Sequence, residues 1–301
     1  MALHQTASRP LRGIFWMVVT GLLFVGVASI VKHLGGRVPA AEAAFLRYVL
    51  GLVFLIPMIG PMRREGFTRA TGSLFVLRGG VHALGVITWF FAMGILPVAE
   101  VAALNYLTPI GVTIGAALFL GETLALRRFL AIAVGLCGVF VILRPGFREI
   151  ELAHIAMLGT TAMFAASYLL AKILADRASP TLVVGMLSIT VPFALFPFAL
   201  AVWVTPSATD LAWLFLVAAL ATGGHYTMTL AFREAPMTVT QPVTFLQLVW
   251  SVLVGLLLFG DPLDGYVILG GLMILAAVSY ITYREALKRR SVTPPVPATK
   301  I

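Results

Sequence analysis

A chain of 301 residues that is 60% hydrophobic and only 11% charged, with a mean hydropathy of +1.01, carries more apolar surface than a water-soluble globule of its size can bury. The composition therefore predicts a protein whose solvent is the lipid bilayer. A net charge of +9 would suit nucleic-acid binding if the basic residues formed a stripe. They lie instead at the ends of apolar stretches, so no nucleic-acid partner is expected.

Ten apolar stretches, bounded by charged residues, Pro or Gly, are long enough to cross a bilayer as helices. The first is longer than the apolar region of a cleaved signal peptide and lacks a small-residue cleavage site after it, so it is expected to be the first span. The sequence predicts an all-α membrane protein with ten transmembrane helices, at residues 13–35, 41–60, 73–95, 98–120, 124–143, 152–175, 181–204, 211–232, 237–259 and 265–283.

The basic residues predict the orientation of these spans. If both termini are cytoplasmic, sixteen of the 21 Lys and Arg residues face the cytoplasm. The remaining basic residues, on the outer side, are Lys32, Arg37, Arg47, Arg144 and Arg148. This bias follows the positive-inside rule. The predicted location is the inner membrane, with a cytoplasmic segment at residues 1–12 and a disordered, Pro-rich cytoplasmic tail at 285–301.

The chain contains an internal repeat. Residues 97–122 align without gaps on residues 236–261, an offset of 139, and near the start of each half Lys32 aligns with Lys172 and Pro57 with Pro197, an offset of 140. Chance similarity between apolar helices is the alternative explanation. Because five spans is an odd number, the second copy enters the membrane from the opposite side. The prediction is two inverted five-helix repeats, at 13–146 and 147–284, with a substrate site between them near the midplane.

The repeat resembles a known family. The segment 97–109 (PVAEVAALNYLTP), followed by Leu120-Gly121-Glu122, by Gly135 and by 144–146 (RPG), is similar to the repeat of the drug/metabolite transporter superfamily, in its EamA-type branch. The second copy departs from the pattern, with Leu248 in place of Pro109 and Asp261 in place of Glu122. These departures leave the identity of the substrate open, but they do not change the predicted fold.

Within that superfamily the length and the aromatic-rich helices resemble the YddG-type amino acid exporters. The resemblance implies a monomeric secondary transporter without cofactors that exports aromatic and other neutral amino acids by alternating access. Export of drugs or other metabolites is the alternative within the superfamily. A channel-like pore is an alternative from another class, which the absence of acidic rings or a repeated filter sequence disfavours. An integral membrane enzyme is disfavoured because the sequence has no catalytic, metal-binding or Walker A motif.

The ninth predicted span carries a polar stripe in which Thr240, Thr244, Gln247 and Ser251 share one helical face. Through the repeat, Thr244 corresponds to Asn105, and Gln247 to Thr108. These four residues are therefore predicted to bind substrate from both halves. Hydrogen bonding between helices is the alternative role for such a stripe.

Two histidines and several aromatic residues complete the predicted substrate site. A neutral imidazole both donates and accepts a hydrogen bond, and aromatic rings pack flat substrates. Helix packing and the interfacial aromatic belt are the alternative roles. The further predicted substrate-binding residues are His82, Trp89, Tyr106, Tyr168, His225, Tyr226 and Trp250.

Three charged residues are candidates for gating or coupling. Glu100 lies one turn inside the fourth span, where an acid favoured by the helix dipole is the alternative. Lys32 and Lys172 occupy equivalent positions near the ends of their spans, where the alternative is a side chain that extends to the membrane surface. The other acidic residues lie near span ends, and no carboxylate is expected at mid-membrane. Gly111 with Gly115, and Gly135 with Gly138, predict close helix packing.

Overall fold

The computed structural model describes residues 10–119, 126–147, 149–235, 240 and 243–292, and the regular elements in these ranges are helices. Nine helical segments there are long and apolar enough to cross a bilayer, and Leu246–Phe259 is a shorter apolar helix. The chain is therefore a multi-pass membrane protein of the helical kind found in inner membranes, as predicted. The cytoplasmic location of the termini stays a prediction.

The described residues of the first half form seven α-helices. A short 3₁₀ turn, Leu52–Leu55, joins the second and third into one span, and the fifth and sixth also form one span. The helices are α1 Pro10–Leu34, α2 Ala40–Gly51, α3 Ile56–Glu65, α4 Arg69–Ile95, α5 Val98–Asn105, α6 Thr108–Phe119 and α7 Leu126–Leu143.

The second half follows the same plan. Its helices are α8 Leu152–Ala175, α9 Pro180–Ala201, α10 Ala208–Glu234, α11 Phe245–Val254, which continues as a π-helical segment at Gly255–Phe259, and α12 Gly265–Val292. Because α12 continues to Val292, the chain is helical over residues 285–292, which the sequence had predicted to be disordered. Residues 293–301 of the predicted tail, and Pro236 and Glu122 of the repeat, lie outside the described residues.

The closest helix pairs each join a helix of the first half to a helix of the second half. The most extensive contacts join α1 to α10, α4 to α8, and α7 to α12. Since α1 and α8 are the first spans of their halves and α4 and α10 are the third, each first span packs against the third span of the other half. The fifth spans, α7 and α12, pack against each other. This is the contact pattern of two copies related by a pseudo-twofold axis, which leaves the interface between them for a substrate.

Small residues allow the closest of these helix contacts. A methyl group added at Gly138 on α7 would lie 2.7 Å from the carbonyl oxygen of Gly270 on α12, and one added at Gly111 would lie 2.9 Å from the side chain of Ala165 on α8. The backbones therefore approach more closely than any larger residue permits. Close packing at these glycines agrees with the sequence-based prediction.

Candidate functional site

Two helix breaks meet at the centre of the protein. The fourth span is interrupted at Tyr106 and Leu107, between α5 and α6, and in the ninth span Thr244 is a turn residue directly before α11. At the repeat offset of 139 the two breaks lie within two residues of each other. The Tyr106 hydroxyl donates a hydrogen bond to the Thr244 carbonyl oxygen at 2.7 Å, so the two breaks touch. Discontinuous helices at a repeat interface are where transporters bind their substrates.

A cavity of about 260 Å³ lies beside these breaks, and both halves of the chain contribute to its wall. Eight of the eleven predicted substrate-binding residues come together there. They are His82, Trp89, Asn105, Tyr106, Thr108, Tyr168, His225 and Gln247. Their substrate-binding role stays a prediction, but they lie together around one space.

The other three predicted substrate-binding residues do not line this cavity. Tyr226 is 65% exposed, because it lies about 100° around α10 from its neighbour His225, which faces the cavity. Trp250 precedes Ser251, which lines the wall, but Trp250 itself is not part of the lining. Thr244 contributes its main-chain carbonyl to Tyr106 instead of a side chain to the wall. A substrate-binding role for these three residues stays a prediction that this cavity does not support.

Two Phe–imidazole pairs form opposite parts of the wall. Phe164 on α8 stacks on His82 of α4, with ring centroids 4.9 Å apart and planes at 28°. Phe24 on α1 meets His225 of α10 edge to face, with centroids 5.2 Å apart. Phe24 and Phe164 are equivalent at the repeat offset of 140 residues. Each half therefore supplies a phenyl ring from its first span to an imidazole from the third span of the other half.

The His82 ring is held by hydrogen bonds at both nitrogens. Its Nδ1 lies 3.2 Å from the Ser167 hydroxyl on α8, and its Nε2 lies 3.0 Å from the Tyr48 hydroxyl on α2. These contacts join three helices from both halves. His82 therefore packs and orients the wall, and it presents the edge of a fixed ring to the cavity.

Several buried polar atoms at the cavity have no hydrogen-bond partner among the described residues. They include the Asn105 Oδ1, the Thr108 Oγ1 and the Trp89 Nε1, and all three residues line the cavity. Buried polar atoms in proteins are nearly always paired, with protein, water or ligand. The unpaired atoms lie where the helix breaks bring them together, so the cavity offers acceptors and donors to a polar molecule.

Glu100, predicted as a coupling residue, lies outside the central cavity. It is 1% exposed, and its carboxylate lies 2.9 Å from the His154 Nε2 on α8. Because the His154 Nδ1 accepts a hydrogen bond from the Glu151 main-chain N–H, Nε2 carries the hydrogen and donates it to Glu100. This contact joins the start of α5 in the first half to the start of α8 in the second.

Lys32 forms an ion pair, which excludes the extended surface conformation that was its alternative. Its ammonium lies 2.5 Å from the Asp261 carboxylate and 3.3 Å from the Leu96 carbonyl oxygen. Asp261 also accepts a hydrogen bond from the N–H of Val98, the first residue of α5. The equivalent Lys172 lies near the end of α8 and does not line the cavity. Its repeat-equivalent acid, Glu122, lies outside the described residues.

The sequence-based reasoning missed Arg47. Its position near the start of the second span placed it with the outer basic residues, but it lies seven residues into α2, about 10 Å along the helix, and it lines the cavity beside Tyr48. An arginine this far inside an apolar span was the signal that could have identified it.

In the part of the chain that the structure describes, no three His, Cys, Asp or Glu side chains come together to form a metal site. The cavity is lined instead by aromatic, imidazole, amide and hydroxyl groups and by the guanidinium of Arg47. Such groups bind organic molecules by packing and hydrogen bonding.

Several bacterial proteins are similar to this chain over nearly its whole length. A riboflavin transporter of Rhizobium johnstonii is 31% identical, with 94% of this chain and 95% of that protein covered. A riboflavin transporter of Vibrio cholerae is 29% identical, with 93% and 96% covered. An S-adenosylmethionine uptake transporter of Rickettsia prowazekii is 25% identical, with 94% and 96% covered.

The EamA-like transporter family matches the chain twice, at residues 11–144 and 151–283. The two matches coincide with the two halves that the helix packing relates. Both the family and these relatives are transporters and not enzymes. The chain belongs to the EamA-like transporter family and is a membrane transporter of the drug/metabolite superfamily.

Proposed function

We propose that this protein is a secondary carrier for a small metabolite with a flat, nitrogen-containing ring system, and that riboflavin-like molecules fit its cavity best. The observation that carries the proposal is the combination of two Phe–imidazole pairs with unpaired polar atoms at the two helix breaks. Aromatic walls pack flat rings, and the unpaired atoms hydrogen-bond to ring heteroatoms or hydroxyls.

The relatives support this substrate class. Riboflavin and S-adenosylmethionine both join a fused, nitrogen-rich aromatic ring system to a hydroxylated five-carbon unit. The aromatic part suits the wall made by Trp89, Phe164 and His82, where neighbouring ring centroids lie 4.9 to 6.3 Å apart. The hydroxylated part suits Asn105, Thr108 and Gln247. The name of the Rickettsia relative specifies uptake, which favours import over the export that the sequence resemblance implied.

Export of aromatic amino acids is the second candidate. The aromatic wall that suits a fused ring also suits an indole or a phenol, which favours this class among amino acids. Two of the relatives named above are named for riboflavin and one for S-adenosylmethionine, a derivative of methionine, and none is named for an aromatic amino acid. Aromatic amino acids are therefore the comparison substrates in the experiment below.

The carrier mechanism that we propose is rocking of one half against the other around the cavity. Two contacts between the halves, Lys32 with Asp261 and Glu100 with His154, lie at the end of the bundle where α1 ends and α5 and α8 begin. They hold that end closed and separate when it opens. Gating by Lys172 at the other end follows from the repeat.

The proposal is tested with purified protein in detergent and in proteoliposomes. Stacking against aromatic side chains quenches flavin fluorescence, so titration into riboflavin measures binding directly. Saturable riboflavin uptake, accelerated by unlabelled riboflavin on the opposite side, is expected for a carrier. Flux without saturation or counterflow would indicate a channel. If tryptophan or phenylalanine but not riboflavin were transported, the second candidate would replace the first.

A matched pair of tryptophan variants tests the site. Trp89→Leu removes an indole from the cavity wall, whereas Trp213→Leu removes one that packs outside the cavity against His33, with ring centroids 5.4 Å apart. We expect weaker riboflavin binding in the first variant by about tenfold, since one aromatic contact contributes about 0.5–1.5 kcal/mol beyond its buried area. The second should bind like wild type. Equal effects of the two changes would contradict the site.

A further inference from the structure

Arg47 brings a positive charge into the cavity that carries the proposed function. Its guanidinium lies over the Tyr48 ring, 4.3 Å from the ring centroid. Among the described residues it forms no hydrogen bond or ion pair, and it lines the cavity wall. An arginine inside a transmembrane segment is costly unless it faces water, a partner or a ligand. The contact with one tyrosine ring leaves its N–H groups without a hydrogen-bonding partner among the described residues.

Among the described residues, no acidic side chain lines the cavity to neutralise this charge. Among the residues that line it, Arg47 has the only permanently charged side chain, and no Asp or Glu is present. The nearest acid along α2, Glu42, is fully buried and accepts a hydrogen bond from the Val204 N–H at 2.8 Å. Buried Arg78 on α4 donates to the Val183 carbonyl oxygen and adds a second positive charge to this region.

The repeat shows that Arg47 is not required by the shared scaffold. The position equivalent to Arg47 at the offset of 140 residues is Leu187 on α9. The offset is fixed on either side of it by Lys32 with Lys172 and by Pro57 with Pro197. A charge that is present in only one copy is not needed for the packing that both copies share. We therefore expect it to contact a component that is itself asymmetric. In a carrier built from two similar halves, the asymmetric component at the interface is the substrate.

We infer that Arg47 forms an anion subsite, which binds a carboxylate or phosphate group of the substrate while its ring packs between the aromatic walls. The inference rests on the proposed function, which gives the substrate an aromatic ring, and it adds that the substrate carries a negative charge. A guanidinium presents paired N–H donors that match the oxygens of either anion, and such charge-assisted hydrogen bonds are the strong ones. In a cavity of low polarity the attraction is only weakly screened.

The alternative is a structural role, in which Arg47 only supports the Tyr48 ring and, through its hydroxyl, His82. A structural role affects all ligands alike. An anion subsite affects charged and neutral ligands differently, so the readout is the ratio of two dissociation constants.

The first experiment compares riboflavin with riboflavin 5′-phosphate, which differ by one phosphate. Fluorescence quenching should show that wild type binds the phosphate at least tenfold more tightly. In Arg47→Gln this ratio should fall to near one, whereas Arg47→Lys, which keeps the charge, should retain part of it. Arg37→Gln is the control, because Arg37 pairs with Asp210 outside the cavity and is half exposed. An equal loss for both flavins in Arg47→Gln would overturn the inference.

A second experiment separates failure of the inference from failure of the proposed function. Thermal unfolding of the purified protein is measured with benzoate and with inorganic phosphate, neither of which requires a flavin site. Stabilisation of wild type but not of Arg47→Gln supports the subsite, and the more effective anion identifies carboxylate or phosphate as the bound group. Flavins that do not bind, together with anions that do, would refute only the ring proposal. If neither anion stabilised wild type and the flavin ratio were near one, the anion subsite would be refuted.

Discussion

Removing one charge of the Lys32–Asp261 pair should destabilise the protein more than removing both. The two side chains are each 14% exposed, and their charged groups are 2.5 Å apart. Lys32→Met leaves the Asp261 carboxylate with the Val98 N–H as its remaining described partner. Loss of one partner from a buried pair costs about 3–5 kcal/mol, and the remaining exposure places the expected loss at the lower end, about 3 kcal/mol.

The double variant Lys32→Met with Asp261→Asn should recover most of that loss. It leaves no uncompensated charge, and the amide oxygen introduced at position 261 still accepts the hydrogen bond from the Val98 N–H. Thermal unfolding in detergent of the wild type, both single variants and the double variant gives the coupling energy. Arg37→Gln is the control, because its pair with Asp210 spans 3.3 Å and the arginine is 51% exposed, so its loss should cost less than about 1 kcal/mol. Additive effects of the Lys32 and Asp261 changes would refute the reasoning.

Three further changes test the central contacts. Tyr106→Phe removes the hydrogen bond to the Thr244 carbonyl, and we expect about 1 kcal/mol lower stability and slower counterflow, measured by unfolding and in proteoliposomes. Gln247→Ala should weaken transport while the protein stays folded and inserted, and unchanged flux would show that its stripe is structural. Gly138→Leu should abolish the folded monomer on size exclusion, because the side chain would meet the Gly270 carbonyl.

The fold could be predicted from the sequence because its signals are long and repeated. Twenty-residue apolar stretches indicate spans, and the internal repeat indicates two similar halves, whereas the count of ten spans and the inversion stay predictions. The predicted end of the last helix was wrong. A tail of low hydropathy was interpreted as disordered, but α12 continues to Val292. No apolar signal distinguishes a polar helix that extends beyond the membrane from a disordered segment.

Site residues could be predicted where a polar side chain stands out in an apolar span. They were harder to predict where the direction of the side chain decides whether it reaches the cavity. Asn105, Thr108 and Gln247 stand out as polar residues in apolar spans, and they line the cavity. Tyr226 was misplaced because choosing between adjacent residues requires the rotation of α10, which packing against α1 determines. Lys32 was ambiguous because its partner Asp261 lies 229 residues away in the chain. The fold brings these two residues together, and no local sequence pattern indicates the pair.

The selectivity of this carrier is expected to lie where its halves differ. Phe24 and Phe164 are equivalent, and each meets an imidazole from the opposite half, so both halves contribute a similar aromatic pair to the wall. The position equivalent to Arg47 in the second half is Leu187, so this charge is present in one half only. An anionic group on the cargo would therefore fix which end of the molecule lies toward α2. Placing arginine at both positions, with Leu187→Arg, should relax that orientation and weaken the preference for substrates with a single anionic group.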